Sequence, residues 1–425
     1  MTPSSLWQQI LDASNRHDPY PLFAELRKTP VARVEDGTYA VSTYREIVSL
    51  LHDPRISSDL RNLPAENDAP SAGAPAEAPA RLPANLIGLD PPEHDRVRRL
   101  LTWSFGPPHC PGRIDGMIPG VLAAVTSEID DLAGAHPSGA SRIDIVDDFA
   151  YAVPVTVICR LLGVPREDEP RFRDLSTEII RGADPSTGPL AERERRRDVS
   201  VAELGDYFGQ LLDARRGRPG DDLLSGLLAG GAPDPPMSRE ELLSNAVLLL
   251  VAGHETTTNL IANGMLTLLR HPDVLERLRR GDEPGLPARV IEELVRHDPV
   301  SQMLANRIAL DDIEIAGTTI PRGSTVVLVL ASGSRDPGFV EDPDRFDPDR
   351  APNEHLGFGG GIHYCFGAPL ARPEGRIALT ELARRLENPR LVTDPPPYRS
   401  NPSPRGPRHL LVDIDGVRPR AAGSR

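Results

Sequence analysis

Residues 357–372 read GFGGGIHYCFGAPLAR and set Cys365 among five glycines, with His363 two residues before it and Phe358 seven before it. A cysteine so placed can be a metal ligand, a nucleophile or a buried structural thiol. Gly359, Gly360 and Gly361 permit close backbone approach. The helix-forming APLAR after it puts Cys365 just ahead of a helix N-terminus, where unpaired N–H groups favour a thiolate. Phe358 is placed to shield a flat ligand or the sulfur. A dinucleotide loop needs G-x-G-x-x-G spacing, and a phosphate loop needs Gly-Lys-Ser/Thr; neither is present. A zinc site needs three or four ligands, and no second Cys/His pair accompanies His363 and Cys365. A lone cysteine is usually a buried apolar side chain, but the glycine crowding weakens that reading here.

A second stretch, VAGHETTTN (251–259), sets Glu255 in a long apolar run between His254 and Thr256. Burying an unpaired carboxylate is costly. A zinc-protease His-Glu-x-x-His would need histidine at 258, where Thr258 stands. A helical threonine hydroxyl can bond a backbone carbonyl and open a local kink. Water in that opening, with local hydrogen bonds, would offset the burial of Glu255. Two further constellations carry charge. EELVR (292–296) holds Glu293 and Arg296 three residues apart, an ordinary helical pair spacing, and DPDRF (342–346) holds Arg345. DPPEHDRVRRL (90–100) puts His94 and Arg98 on one helix face, and NRIAL (306–310) carries Arg307.

The elements that must position these residues are mostly helical. The longest is expected to be capped by Ser238, with Glu241 completing a capping box, and to run to Arg270 before His271–Pro272 stops it. Its centre is apolar on every face, which marks a buried helix. VLAAVTSEIDDLAG, YAVPVTVICRLLG and PARVIEELVRHDP read as further helices, whereas NRIAL, IEIAG and TVVLVLA read as short strands. The Ala/Pro-rich segment 60–88 reads as a long loop, and the charge-rich segment 187–200 as solvated connection. Helices come first and small sheets later, without regular alternation, which disfavours a doubly wound fold.

The net charge of -14 argues against nucleic acid or an anionic membrane as partner. No run of eighteen apolar residues and no basic start leading into an apolar core is found, so a cytoplasmic protein is expected. Three cysteines are too few for a disulfide framework. Lys28 is the only lysine, and the abundance of Arg, Ala, Gly and Pro fits a GC-rich, actinobacterial genome.

The Cys365 stretch resembles the haem-ligand signature of cytochromes P-450, Phe-Gly-x-Gly-x-His-x-Cys-x-Gly-x-x-Leu-Ala-Arg. Phe358, Gly359, Gly361, His363, Cys365, Gly367, Leu370, Ala371 and Arg372 match it. The resemblance extends over nearly the whole chain. It implies a mainly α fold, a helix-rich triangular prism with small β-sheets, as one domain over 1–425 with flexible ends at 1–15 and 415–425. It places haem b between the long central helix and the Cys loop, with Cys365 as thiolate ligand to iron. By the same resemblance, His94, Arg98, Arg307 and His363 are donors to the haem propionates. Ala252 and Gly253 would leave room for dioxygen, while Glu255 and Thr256 would organise protons. Glu293, Arg296 and Arg345 would form a structural charge network. Leu248, Val251, Met303 and Leu304 would line the substrate pocket, with the 60–88 loop as a lid.

The implied activity is monooxygenation, hydroxylating or epoxidising a small apolar organic substrate in secondary-metabolite (antibiotic) tailoring. A monomer is expected, fed from NAD(P)H through a separate ferredoxin and ferredoxin reductase. Oxidative coupling or peroxide-driven chemistry is the alternative within the family, and a non-catalytic haem sensor the alternative outside it. Two departures stand out. Pro373 comes after Arg372 where a helix is expected, and Ser334 stands where asparagine is usual.

Overall fold

The computed structural model describes residues 2–63, 82–105, 112–136, 139–183, 190–230 and 232–419. The long helix forms over Arg239–Arg270. Ser238 Oγ accepts the Glu241 N–H at 3.2 Å, and the Glu241 carboxylate accepts the Ser238 N–H at 2.8 Å, the reciprocal cap that satisfies two orphan donors. Pro272 cannot extend this helix and instead opens the next, Pro272–Arg280. Leu250, Leu260, Ile261, Met265 and Leu268 are all buried. Gly112–Ala135, Ala152–Leu162, Leu286–His297 and Ala368–Arg385 are among the helices that share one apolar core with it.

Short strands flank this helical body. A five-stranded sheet runs in the order Val31–Glu35, Thr38–Val41, Thr325–Leu328, Leu304–Ala309, Ile56–Ser57. Thr38 pairs with Thr325 in parallel, and the other neighbours are antiparallel. The strand Leu304–Ala309 carries Arg307, which lines a cavity together with Ser58 and His363.

Several expectations need correction. The ends are structured where described. Pro3–Leu11 is a helix whose Leu6, Trp7 and Ile10 are buried in a second core, and Gly416–Val417 pairs with Leu386–Glu387. The charge-rich connection expected over 187–200 is helical from its start at Leu190, within Leu190–Gly217; its Arg and Glu residues are good helix formers. Of the long loop over 60–88, residues 64–81 lie outside the described residues, and its flanks form 3-10 turns at Leu60–Asn62 and Leu86–Gly88. Pro373 sits inside the helix Ala368–Arg385 without ending it. Ser334 is tolerated because its Oγ accepts the Leu356 N–H at 3.1 Å. Among the described residues, no helix is long and apolar enough to cross a membrane.

Candidate active site

The Cys loop is held by backbone geometry that only glycine supplies. Gly361 has φ +61°, and a Cβ there would stand 2.0 Å from the Leu51 carbonyl oxygen. The Cys365 N–H donates to the Phe358 carbonyl at 2.9 Å, which folds the loop back on itself. Gly367 then caps the helix Ala368–Arg385. Burial pushes the Cys365 thiol pKa up, while the N–H groups of Gly367 and Ala368, and the charges of Arg98 and Arg372, act in the opposite sense. That is the setting of a buried sulfur whose proton leaves when a metal takes its place. The Arg372 guanidinium stacks over Phe358 at 4.5 Å and grips Glu292 at 2.7 and 3.0 Å. Burial opposes ionisation of Glu292, but hydrogen bonds from His355 and Arg372 win and hold its pKa at about 2.

Cys365 opens into a cavity of about 300 Å³. Phe358, Gly359 and Gly367 line it on the loop side, and Ala252, Gly253 and Thr256 on the central helix. Gly253 is small for a second reason: a Cβ would come within 2.9 Å of Ile158 Cδ1. Of the residues expected to meet substrate, Leu248 and Leu304 line the cavity. Met303 does not; it is buried with Leu6, Trp7 and Val327 in the second core. Val251 packs against the main core and is also absent from the cavity wall. Leu86, Ile87 and Leu249 take their places.

The four expected propionate donors converge. The His94 and His363 rings lie 4.5 Å apart, edge to face. Arg98 Nη2 donates to the Tyr364 carbonyl at 2.9 Å, and Ser58, which no sequence motif marks, meets His363 Nε2 at 2.9 Å. His94 Nε2 and His363 Nδ1 are buried without a partner among the described residues. Burial, then the charges of Arg307, His94 and Arg98, press the His363 pKa down to about 3. Burial also lowers the pKa of Arg307 and Arg98. Cationic and donor groups crowded together with unused nitrogens call for a dianion. A sulfur, an apolar slot and these donors fit haem with its two propionates.

Glu255 is placed differently from expectation. Thr256 reaches the cavity and donates to the Ala252 carbonyl at 2.6 Å. That is the expected hydroxyl-to-carbonyl bond, and the helix continues through it. Glu255 is 7% exposed and off the cavity wall. Its carboxylate is paired with Arg399, from the C-terminal segment, and accepts Asn259 Nδ2 at 3.2 Å. This ion pair, which the sequence did not indicate, helps offset its burial. No sequence motif marks Arg399.

The charge network also differs in one member. Glu293 and Arg296 form a bidentate pair, 2.7 Å on each arm, with both side chains fully buried. Arg345 contributes only its backbone: its carbonyl accepts Arg296 Nη2 at 3.0 Å. Its side chain is 69% exposed and pairs loosely with Asp347. The third member beside Glu293 is Arg350, at 3.5 Å and 12% exposed. The sequence EDPDRFDPDR offers two identical Asp-Pro-Asp-Arg copies, and the fold uses the second.

A cysteine loop facing a long central helix across an apolar slot, with a cluster of His and Arg donors at its edge, is the arrangement of a haem-thiolate protein. Comparison with known proteins agrees. The Cytochrome P450 family model matches residues 206–281 and 286–404. The monooxygenase PikC of Streptomyces venezuelae is 39% identical over 96% of this chain and 93% of its own. The 6-deoxyerythronolide B hydroxylase of Saccharopolyspora erythraea is 37% identical over 96% of this chain and 98% of its own. The structure of CYP164A2 from Mycobacterium smegmatis superposes with a TM-score of 0.84 at 38% identity, covering 96% of this chain and 99% of that one. The chain belongs to the cytochrome P450 family. It is a monooxygenase, and the family implies haem as its cofactor and dioxygen as its oxidant.

Proposed function

We propose that the protein hydroxylates or epoxidises a small apolar organic substrate, as a cytoplasmic monomer of one domain. Electrons come from NAD(P)H through a separate ferredoxin and its reductase. The observation that carries the substrate class is the cavity wall. Leu86, Ile87, Leu248, Leu249 and Leu304 line it, with Ser301, Thr256 and Thr257 as hydroxyl-bearing members of the same wall. Apolar walls reward an apolar ligand by the area removed from water.

When bound, haem supplies the iron at which dioxygen is activated. The chain's residues do the rest. Cys365 Sγ holds the metal as thiolate, with its charge moderated by the Gly367 and Ala368 N–H groups. His94, Arg98, Arg307 and His363 hold the propionates. The apolar cavity excludes bulk water. Thr256 presents a hydroxyl there, and Glu255, paired with Arg399, is the adjacent carboxylate on the same helix. Protons therefore reach Thr256 from the Glu255 side of the helix.

The test is a screen of apolar compounds for a spin-state shift in the ferric protein, then turnover with a surrogate ferredoxin and reductase. A compound that shifts the spectrum should be recovered with one added oxygen. Shifts given only by charged, polar compounds would refute the substrate class. Coupled rather than oxygenated products would favour the oxidative-coupling alternative.

A further inference from the structure

Leu86 and Ile87 reach the cavity from a segment far from the central helix in sequence, yet that helix holds them. Asn245 Oδ1 accepts the Leu86 N–H at 3.1 Å, and Ser244 Oγ donates to the Pro83 carbonyl at 2.7 Å. Asn245 Nδ2 donates to the Glu241 carbonyl of its own helix at 2.8 Å. An N–H only donates and a carbonyl only accepts, so these two partners fix which way the carboxamide faces. Asn245 and Ser244 are buried, and neither lines the cavity. Both stand one turn before Leu248 and Leu249, which do.

The Asn245 bond answers a need of the backbone. Leu86 opens the short turn Leu86–Gly88, and Asn85 ahead of it offers no side-chain cap. The first N–H of such a turn has no partner within the turn. Leu86 is buried among Leu89, Val97 and Leu101, where an unpaired donor is costly. Asn245 supplies the acceptor. Ile87 differs: it is 57% exposed although it lines the cavity. Packing does not fix a side chain so open, so its place follows from the anchored backbone beside it. We propose that Asn245, assisted by Ser244, is a specificity-determining positioning residue. It sets where Leu86 and Ile87 stand, and through them how long an apolar ligand the cavity rewards. The proposal rests on the apolar-substrate reading.

The test uses the haem-loaded protein with Asn245→Leu, which keeps the volume but not the acceptor, and Ser244→Ala. The ferric forms are titrated with imidazole, 1-butylimidazole and 1-octylimidazole, read by the Soret shift of nitrogen ligation. Amide exchange at Leu86 is followed without ligand. Wild-type affinity should rise with chain length. Asn245→Leu should bind imidazole as the wild type does, lose affinity for 1-octylimidazole severalfold, and exchange the Leu86 amide faster. Ser244→Ala should shift the same way by less. An unchanged 1-octylimidazole affinity, an equal loss for imidazole, or an unchanged Leu86 exchange rate in Asn245→Leu would overturn the proposal. Should Asn245→Leu lose haem, Asn245→Ala takes its place in both measurements. A wild type whose affinity does not rise with chain length would instead overturn the apolar-substrate reading, and exchange at Leu86 would still decide whether Asn245 holds the wall.

Discussion

At the scale of single residues, charge pairing separates neighbours that look alike in sequence. Arg345 and Arg350 occupy identical tetrapeptides, yet only Arg350 faces buried Glu293. Replacing Arg345 by alanine should change stability by no more than about 0.5 kcal/mol, since its side chain is a surface group. Arg296→Met strands a buried carboxylate and should cost about 3–5 kcal/mol in denaturant unfolding. The same contrast applies across the cavity. Thr256→Ala keeps haem and substrate binding but diverts electrons to peroxide, read as product formed per NAD(P)H consumed. Arg399→Ala removes the cation that offsets Glu255, and should both lower stability and raise peroxide. Coupling unchanged in Thr256→Ala would remove that residue from proton supply. The glutamate–threonine pair was legible from its place in an apolar run, but its partner was not, because Arg399 lies more than a hundred residues away in a segment without a motif.

At the scale of elements, local rules predicted what local forces decide. The capping box at Ser238 and the stop at His271–Pro272 gave the central helix within one residue of its observed bounds. The helix after the Cys loop tolerates Pro373 because neighbouring turns and the shared core hold it. Pro373→Ala restores a backbone donor and should stabilise the helix by up to about 3 kcal/mol, read in denaturant unfolding. Gly361→Ala should act oppositely. Its Cβ has no room against the Leu51 carbonyl, so the loop must shift and the protein should retain less haem after gel filtration. The stretch that sequence misread, 190–200, is charged on most faces, and the apolar period of its helix begins only beyond it, at Val201, Leu204, Phe208 and Leu212. Met303 was misplaced for a related reason: apolar residues beside a strand look the same whether they face a cavity or a core.

At the scale of the whole molecule, the propionate cradle brings together four residues from distant segments, and their charge governs its behaviour. His363 titrates at about 3 in the folded chain against an ordinary 6.5. The unfolded chain therefore takes up the proton first, and the stability tied to this residue is full above pH 6.5 and lost as pH falls towards 3. Haem-free protein should lose more melting temperature between about pH 7 and about pH 5 than a His363→Gln variant does. Bound propionates neutralise the neighbouring cations, so the difference should shrink in the haem-loaded form. Equal pH profiles for the two haem-free proteins would contradict this electrostatic account. The cradle was legible in sequence only through family resemblance, since a histidine or arginine alone is usually a surface residue.

The central claim is that Cys365 ligates haem iron as a thiolate, and the carbon monoxide difference spectrum of the dithionite-reduced protein tests it most directly. The account predicts the strongly red-shifted Soret band of thiolate ligation in the wild type and its loss in Cys365→His. A wild-type band at the histidine-ligated or unligated position, or a red-shifted band that survives in Cys365→His, would contradict it.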